Sequence, residues 1–112
     1  MTNFKSRRPS KIEDRVSEYE SLVDSLLDGY SMSIYEYIND LYCRQYLEEH
    51  KDDPDVSGLW SRIERTDSRF LAILNSTKRC ICGNYPQSYF WYWSYPSHSP
   101  VLEQDLKENG ML

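Results

Sequence analysis

Cys80 and Cys82 stand two apart, with Cys43, His50 and His98 elsewhere in a chain of 112 residues. Thiolate and imidazole are the ligands that a tetrahedral zinc takes, but a structural zinc site carries two paired sets, commonly Cys-x-x-Cys twice. One pair at Cys-x-Cys spacing falls short of that pattern. A cysteine on a half-buried strand acts more often as a small hydrophobe. A thiol–imidazole dyad needs a histidine placed beside the thiol, and neither His50 nor His98 lies in a motif that would place it. The glycines Gly29, Gly58, Gly83 and Gly110 are scattered singly, so no loop can cradle a phosphate. The acid pairs Glu48-Glu49 and Asp52-Asp53 are consecutive and solvated, so they do not face each other across a substrate. Asp67 is the exception, because it falls on the apolar face of its segment between Ile63 and Phe70. A carboxylate there is costly unless a buried arginine or backbone N–H groups hold it, and a functional acid is the alternative. No second catalytic group is in view. The sequence therefore names no catalytic residue, no metal and no cofactor.

What remains is surface chemistry. Residues 1–11 carry Lys5, Arg7, Arg8 and Lys11 and no acid. Residues 12–56 carry thirteen acids against Arg15, Arg44 and Lys51, and residues 57–112 carry six bases and five acids. The net charge is -5. Acids on helices can be no more than a solvated face, or they can form a field that attracts a basic partner. A nucleic-acid binder needs a basic face, so that class is disfavoured. No apolar stretch approaches the roughly 20 residues that span a bilayer. Mean hydropathy is -0.74. Met1 to Lys11 is polar and basic, without the apolar run of a secretory signal. Three cysteines are an odd number, and a Cys80–Cys82 bridge would close a very tight loop. Reduced thiols and a cytoplasmic protein are expected.

These side chains must be positioned by one domain, 1–112, whose first nine residues read as a flexible basic arm. Ser10 and Glu13 make a capping-box pattern, and Ile12, Val16, Tyr19, Val23, Leu26 and Leu27 recur at helical spacing. Asp14, Glu18, Asp24 and Asp28 lie outside that stripe, and Gly29 is a natural stop, so a helix is expected over 11–28. Ser33 and Glu36 repeat the capping pattern, opening a second helix over 34–50 with Ile34, Tyr37, Ile38 and Leu41 as its core stripe. Tyr35, Asn39, Tyr42 and Tyr46 form a second stripe along one flank. Glu36, Asp40, Arg44 and Glu48 line the opposite flank, where Asp40 and Arg44 can pair at i,i+4. Asp53 before Pro54 reads as a cap and first-turn proline for a third helix over 55–75. Two strands, 78–82 and 88–95, should form an antiparallel hairpin lying on the helices. The run Tyr89 to Tyr95 has six aromatics in seven residues. As a strand it places Tyr89, Trp91, Trp93 and Tyr95 on one face, and Phe90, Tyr92 and Ser94 on the other. A short last helix starts at Ser99-Pro100. The fold class is α+β, mainly helical: a three-helix bundle, an aromatic hairpin and a short final helix.

In size, in its acidic helical half and in its clustered tyrosines, the chain resembles bacterial toxin-immunity proteins of the contact-dependent growth inhibition or colicin-immunity kind. The segments Tyr37-Ile38-Asn39-Asp40-Leu41 with Arg44, Asp67-Ser68-Arg69-Phe70 and Phe90-Trp91-Tyr92 also resemble small uncharacterised bacterial proteins over residues 33 to about 106, a likeness that carries no activity. The first resemblance implies a protein that binds a basic toxin, a nuclease above all, and occludes its active site. Tyrosines supply rigid interface anchors while acids steer the partner. The residues expected to carry this are Tyr35, Glu36, Asn39, Asp40, Tyr42, Tyr46, Glu48 and Glu49. The rival reading is an adaptor that self-associates or pairs through the aromatic strand 89–95. Monomer and dimer are both compatible with the sequence.

Overall fold

The computed structural model describes residues 11–112 of the chain. The basic arm at 1–9 and the Ser10 cap lie outside the described residues. The architecture is α+β and mainly helical, with one two-stranded antiparallel sheet among the described residues.

Helix α1 runs Lys11–Leu26 and buries Ile12, Val16, Tyr19, Val23 and Leu26, the stripe that its apolar period lays out. Full burial stabilises by about 1.5–3 kcal/mol for each large apolar side chain, so this face is what fixes the helix to the rest. The helix stops two residues short of Asp28. Leu27 is exposed, and Gly29, at φ +104°, reverses the chain in a conformation that a residue with a Cβ rarely adopts. The Tyr30 N–H then donates to the His98 carbonyl at 2.8 Å, tying this turn to the C-terminal third.

The helix expected over 34–50 is two helices, α2 (Ile34–Asp40) and α3 (Tyr42–Glu49), joined at Leu41. Leu41 keeps near-helical dihedrals, so the chain bends rather than stops. The bend follows from what each half packs on. α3 lies against α1, whereas α2 lies against the last helix, α6 (Pro100–Glu108), whose Asp105 accepts the Ile34 N–H at 2.9 Å. The third expected helix is also divided, into α4 (Pro54–Ser57) and α5 (Trp60–Leu71), with Gly58 and Leu59 between them. Asp53 caps α4 as its sequence promised, accepting the Asp55 N–H at 2.9 Å. α5 packs against α1 and ends at Leu71 rather than 75, because the next residues are drawn into the sheet.

The antiparallel pair of the C-terminal third is present, but its strands are shorter and shifted. β1 (Leu74–Ser76) pairs with β2 (Ser94–Pro96), with Leu74 opposite Pro96, Asn75 opposite Tyr95 and Ser76 opposite Ser94. Residues 78–82 are irregular, bent chain rather than a strand, tied by the Lys78 N–H to the Met111 carbonyl and the Ile81 N–H to the Tyr92 carbonyl, both at 2.7 Å. The aromatic run is not a strand over its first half. Phe90–Tyr92 is one turn of 3-10 helix, and the Ser94 hydroxyl donates to the Phe90 carbonyl at 2.6 Å. Strand alternation would send half of these rings away from the single core, whereas the turn points the neighbours Trp91 and Tyr92 both inward. No described helix is long and apolar enough to cross a membrane.

Candidate functional site

Between α1 and the α2–α3 pair runs an open groove of about 870 Å³. α1 contributes Asp14, Glu18, Ser21 and Ser25, spaced four, three and four, which places them along one helical face. Arg15, Ser17 and Leu22 complete that wall, and Tyr30, Asn39, Asp40, Tyr42 and Cys43 form the opposite one. Serines at this spacing leave room between the helices, and the acids at the lip give the space a negative character.

The groove is organised by local bonds. The Arg15 guanidinium donates to Glu18 at 2.8 Å and lies 5.5 Å from the Tyr42 ring centroid and 5.3 Å from that of Tyr46. The Lys11 ammonium also sits over the Tyr46 ring, at 5.9 Å. The two rings thus already hold cations against their electron-rich faces. The Tyr30 hydroxyl donates to Asp40 Oδ2 at 2.7 Å, and its pKa is raised, first by burial and then by that bond. Cys43 closes the floor. Its thiol donates to the Asp40 carbonyl at 3.3 Å, and burial pushes its pKa up to about 12. A thiol held protonated in this way is a poor nucleophile and a poor metal ligand.

The structure gathers part of the expected binding set here. Asn39, Asp40 and Tyr42 line the groove. Tyr46 stands beside it, half-buried, in an edge-to-face contact with Tyr42 and stacked on His50 with centroids 4.1 Å apart. Tyr35 is the most solvent-facing aromatic of the described residues, 80% exposed, and Tyr42 is 49% exposed. Glu36 is exposed and accepts from the Ser33 hydroxyl, which holds its pKa below the usual carboxylate value. Glu49 is exposed and accepts from the Gln45 amide at 3.0 Å. Glu48 does different work, being tied into a buried ion network described next.

Arg44 was expected on the flank opposite the tyrosine stripe, with Glu36, Asp40 and Glu48, where it can pair with Asp40. It is instead 3% exposed and makes no such pair. Its Nε donates to Asp67 Oδ1 at 2.9 Å, its Nη2 to Asp67 Oδ2 at 3.0 Å and its Nη1 to Glu48 at 3.1 Å. The guanidinium lies 4.1 Å from the centroid of the buried Trp91 ring. The Tyr19 hydroxyl gives Asp67 a further bond at 2.5 Å. Burial disfavours the Arg44 charge, but the Asp67 bonds and charge, with Tyr19 and Glu48, more than offset this, and its pKa rises. Asp67 is therefore the carboxylate held by a buried arginine, one of the two roles that its place on an apolar face allowed. Glu48 passes the network on to Lys51 at the surface, 3.1 Å away.

Sequence reasoning missed the contribution of α1. It placed Asp14 and Glu18 outside the apolar stripe but did not connect them to Asn39 and Tyr42. The Ser17-Ser21-Ser25 spacing of four was the available signal, since small polar residues repeated on one face leave a helix loosely covered. Among the described residues no cluster of three or more His, Cys, Asp or Glu is gathered as a metal ion would require, and the Cys80 thiol donates to the Cys82 carbonyl at 3.1 Å. Comparison with protein-family models, with curated proteins and with solved structures found no match to this chain.

Proposed function

We propose that this protein is a non-catalytic inhibitor of the immunity type, which binds a basic toxin domain, most readily a nuclease, and covers its active site. The observation that carries this reading is the pairing of the exposed Tyr42 with acids in one groove, where Asp14, Glu18 and Asp40 line the space beside it; Tyr35 stands out to solvent on the same helical stripe but outside the groove. Acids there offer a nuclease the negative charge it expects from phosphate. The tyrosine rings offer apolar area that loses little entropy when it is covered. In this reading the protein acts in the cytoplasm, where a nuclease would find its substrate, and it needs no cofactor.

The rival adaptor reading rests on an aromatic strand that offers rings to a second chain. Trp91, Tyr92 and Tyr95 are buried in the core, so that surface is largely spent inside the molecule. The test is association with any toxin domain that the neighbouring genes encode, measured at two salt concentrations. Tight binding whose on-rate falls steeply with salt supports the inhibitor, as does its loss in Asp14→Lys/Glu18→Lys. No binding by the parent, or binding unchanged by salt and by the double variant, overturns it.

A further inference from the structure

We infer that the outer edge of β1 is a docking surface for a second copy of this chain, which adds its own β1 antiparallel and completes a four-stranded sheet across a twofold axis. The proposal goes beyond the inhibitor reading and uses another part of the molecule. It starts from the ladder. The Ser97 N–H donates to the Ile73 carbonyl and the Thr77 N–H to the Trp93 carbonyl, both at 2.9 Å, so Ile73–Ser97, Asn75–Tyr95 and Thr77–Trp93 are the bonded pairs. Bonded and non-bonded pairs alternate along an antiparallel ladder. Leu74 and Ser76, opposite Pro96 and Ser94, therefore direct their own N–H and C=O groups away from β2. Among the described residues the sheet has no third strand to receive them, and Asn75 and Ser76 are exposed.

The two edges of this sheet are treated differently. That of β2 is closed: its residues are buried, Pro96 has no N–H to offer, and the Pro96 carbonyl accepts the Ser99 hydroxyl at 2.6 Å. The β1 edge lacks the usual guards, since Leu74-Asn75-Ser76 carries no charge, no proline and no bulge. Beside it lies a recess of about 450 Å³ where Leu71, Leu74, Phe90 and Trp93 meet Ser76 and Ser94. Leu71 there is 52% exposed.

Self-complementarity selects a second copy. With Leu74 opposite the copy's Ser76, and Ser76 opposite the copy's Leu74, every outward group of both residues is paired, and Asn75 meets its own copy on the axis. The two Leu74 side chains then stand diagonally on one face, within reach of each other, and join the two recesses into one apolar seam. The nearest charges along the strand, Lys78 and Arg79, fall opposite the uncharged Ala72 and Leu71 of the copy, so no like charges are opposed. The Met111 carbonyl already takes the Lys78 N–H, which ends the open stretch there. So short a pairing buries less than the roughly 1,200–2,000 Å² of a standard interface, and the dimer forms only at high protein concentration.

The experiment uses the full chain at about 10 µM and about 1 mM, with sedimentation equilibrium reading mass and hydrogen exchange reading single amides. The parent is expected to rise from 13.4 kDa toward twice that mass. Its Leu74 and Ser76 amides should exchange about threefold more slowly at the higher concentration, and the Asn75 amide, directed at β2, should change less. Ser76→Pro deletes only an outward N–H, and Asn75→Lys sets like charges face to face on the axis, so both should stay monomeric. Added salt should partly restore pairing in Asn75→Lys alone. A parent that stays monomeric at about 1 mM overturns the proposal, as does a dimer that both folded variants retain. A dimer that leaves Leu74 and Ser76 exchange unchanged overturns it too, and that reading needs no variant to fold.

Discussion

Replacing Arg44 by methionine deletes a cation that is 3% exposed and has two carboxylates directed at it. Methionine roughly preserves the volume of the arginine stem and its contact with Trp91. Asp67 would then keep only the Tyr19 hydroxyl among its described partners, and Glu48 would keep the exposed Lys51. Removing one partner of a buried ion pair costs about 3–5 kcal/mol, because the remaining charge stays desolvated. The Asp67 side chain is 17% exposed, so some water reaches it and the lower end of that range applies. A domain of this size has about 5–15 kcal/mol in all, and about 3 kcal/mol should lower Tm by roughly 12 °C. Urea unfolding followed by tryptophan fluorescence reads the loss directly, since Trp91 touches the site. The companion variant, Arg44→Met/Asp67→Leu, removes both charges and should recover most of the loss, to within about 1–2 kcal/mol of the parent. A cost below about 1 kcal/mol for Arg44→Met would refute the reasoning, and so would a double variant as unstable as the single one.

Three further outcomes are expected. Tyr35→Ala should leave stability within about 0.5 kcal/mol, because its ring is 80% exposed, whereas Tyr42→Ala should cost about 1 kcal/mol through its contacts with Arg15 and Tyr46; each should weaken toxin binding by about 2 kcal/mol, read by calorimetry. In a thiol-labelling time course the half-buried Cys80 and Cys82 should react first. Cys43, with its pKa pushed up to about 12, should lag by a factor on the order of 10³ until the protein unfolds. Glu20 is held below the ordinary carboxylate pKa by its hydrogen bonds from Arg62, at 2.6 and 3.1 Å. A depressed folded pKa contributes stability that is present above the unfolded value of about 4.3 and is lost as pH falls through the folded one. Glu20→Gln should therefore flatten the fall in urea midpoint between about pH 6 and about pH 3, by an amount near 0.5 kcal/mol because the pair is partly solvated.

The sequence by itself determined the elements whose signals are local. The apolar stripe of α1, the Gly29 stop, the Asp53-Pro54 start and the Ser99-Pro100 start each depend on residues within a turn or two, and each was read close to its observed place. The α2–α3 flank bearing Tyr35, Asn39 and Tyr42 was legible for the same reason, since i,i+4 spacing fixes a face wherever the helix lies. The bend at Leu41 and the break at Gly58 were not legible, because they answer to which helices each half packs against. The aromatic run shows the limit most clearly. When nearly every residue is apolar, alternation carries no information about direction, and only the presence of a single core on one side makes a 3-10 turn better than a strand. Arg44 was misplaced because charge ordinarily means solvent. Its partner Asp67 lies 23 residues away, and the bond between them exists only once α3 and α5 are brought together. The groove has the same origin: its two walls are separate in sequence, and the packing of α1 against the α2–α3 pair is what sets acids and tyrosines across one space.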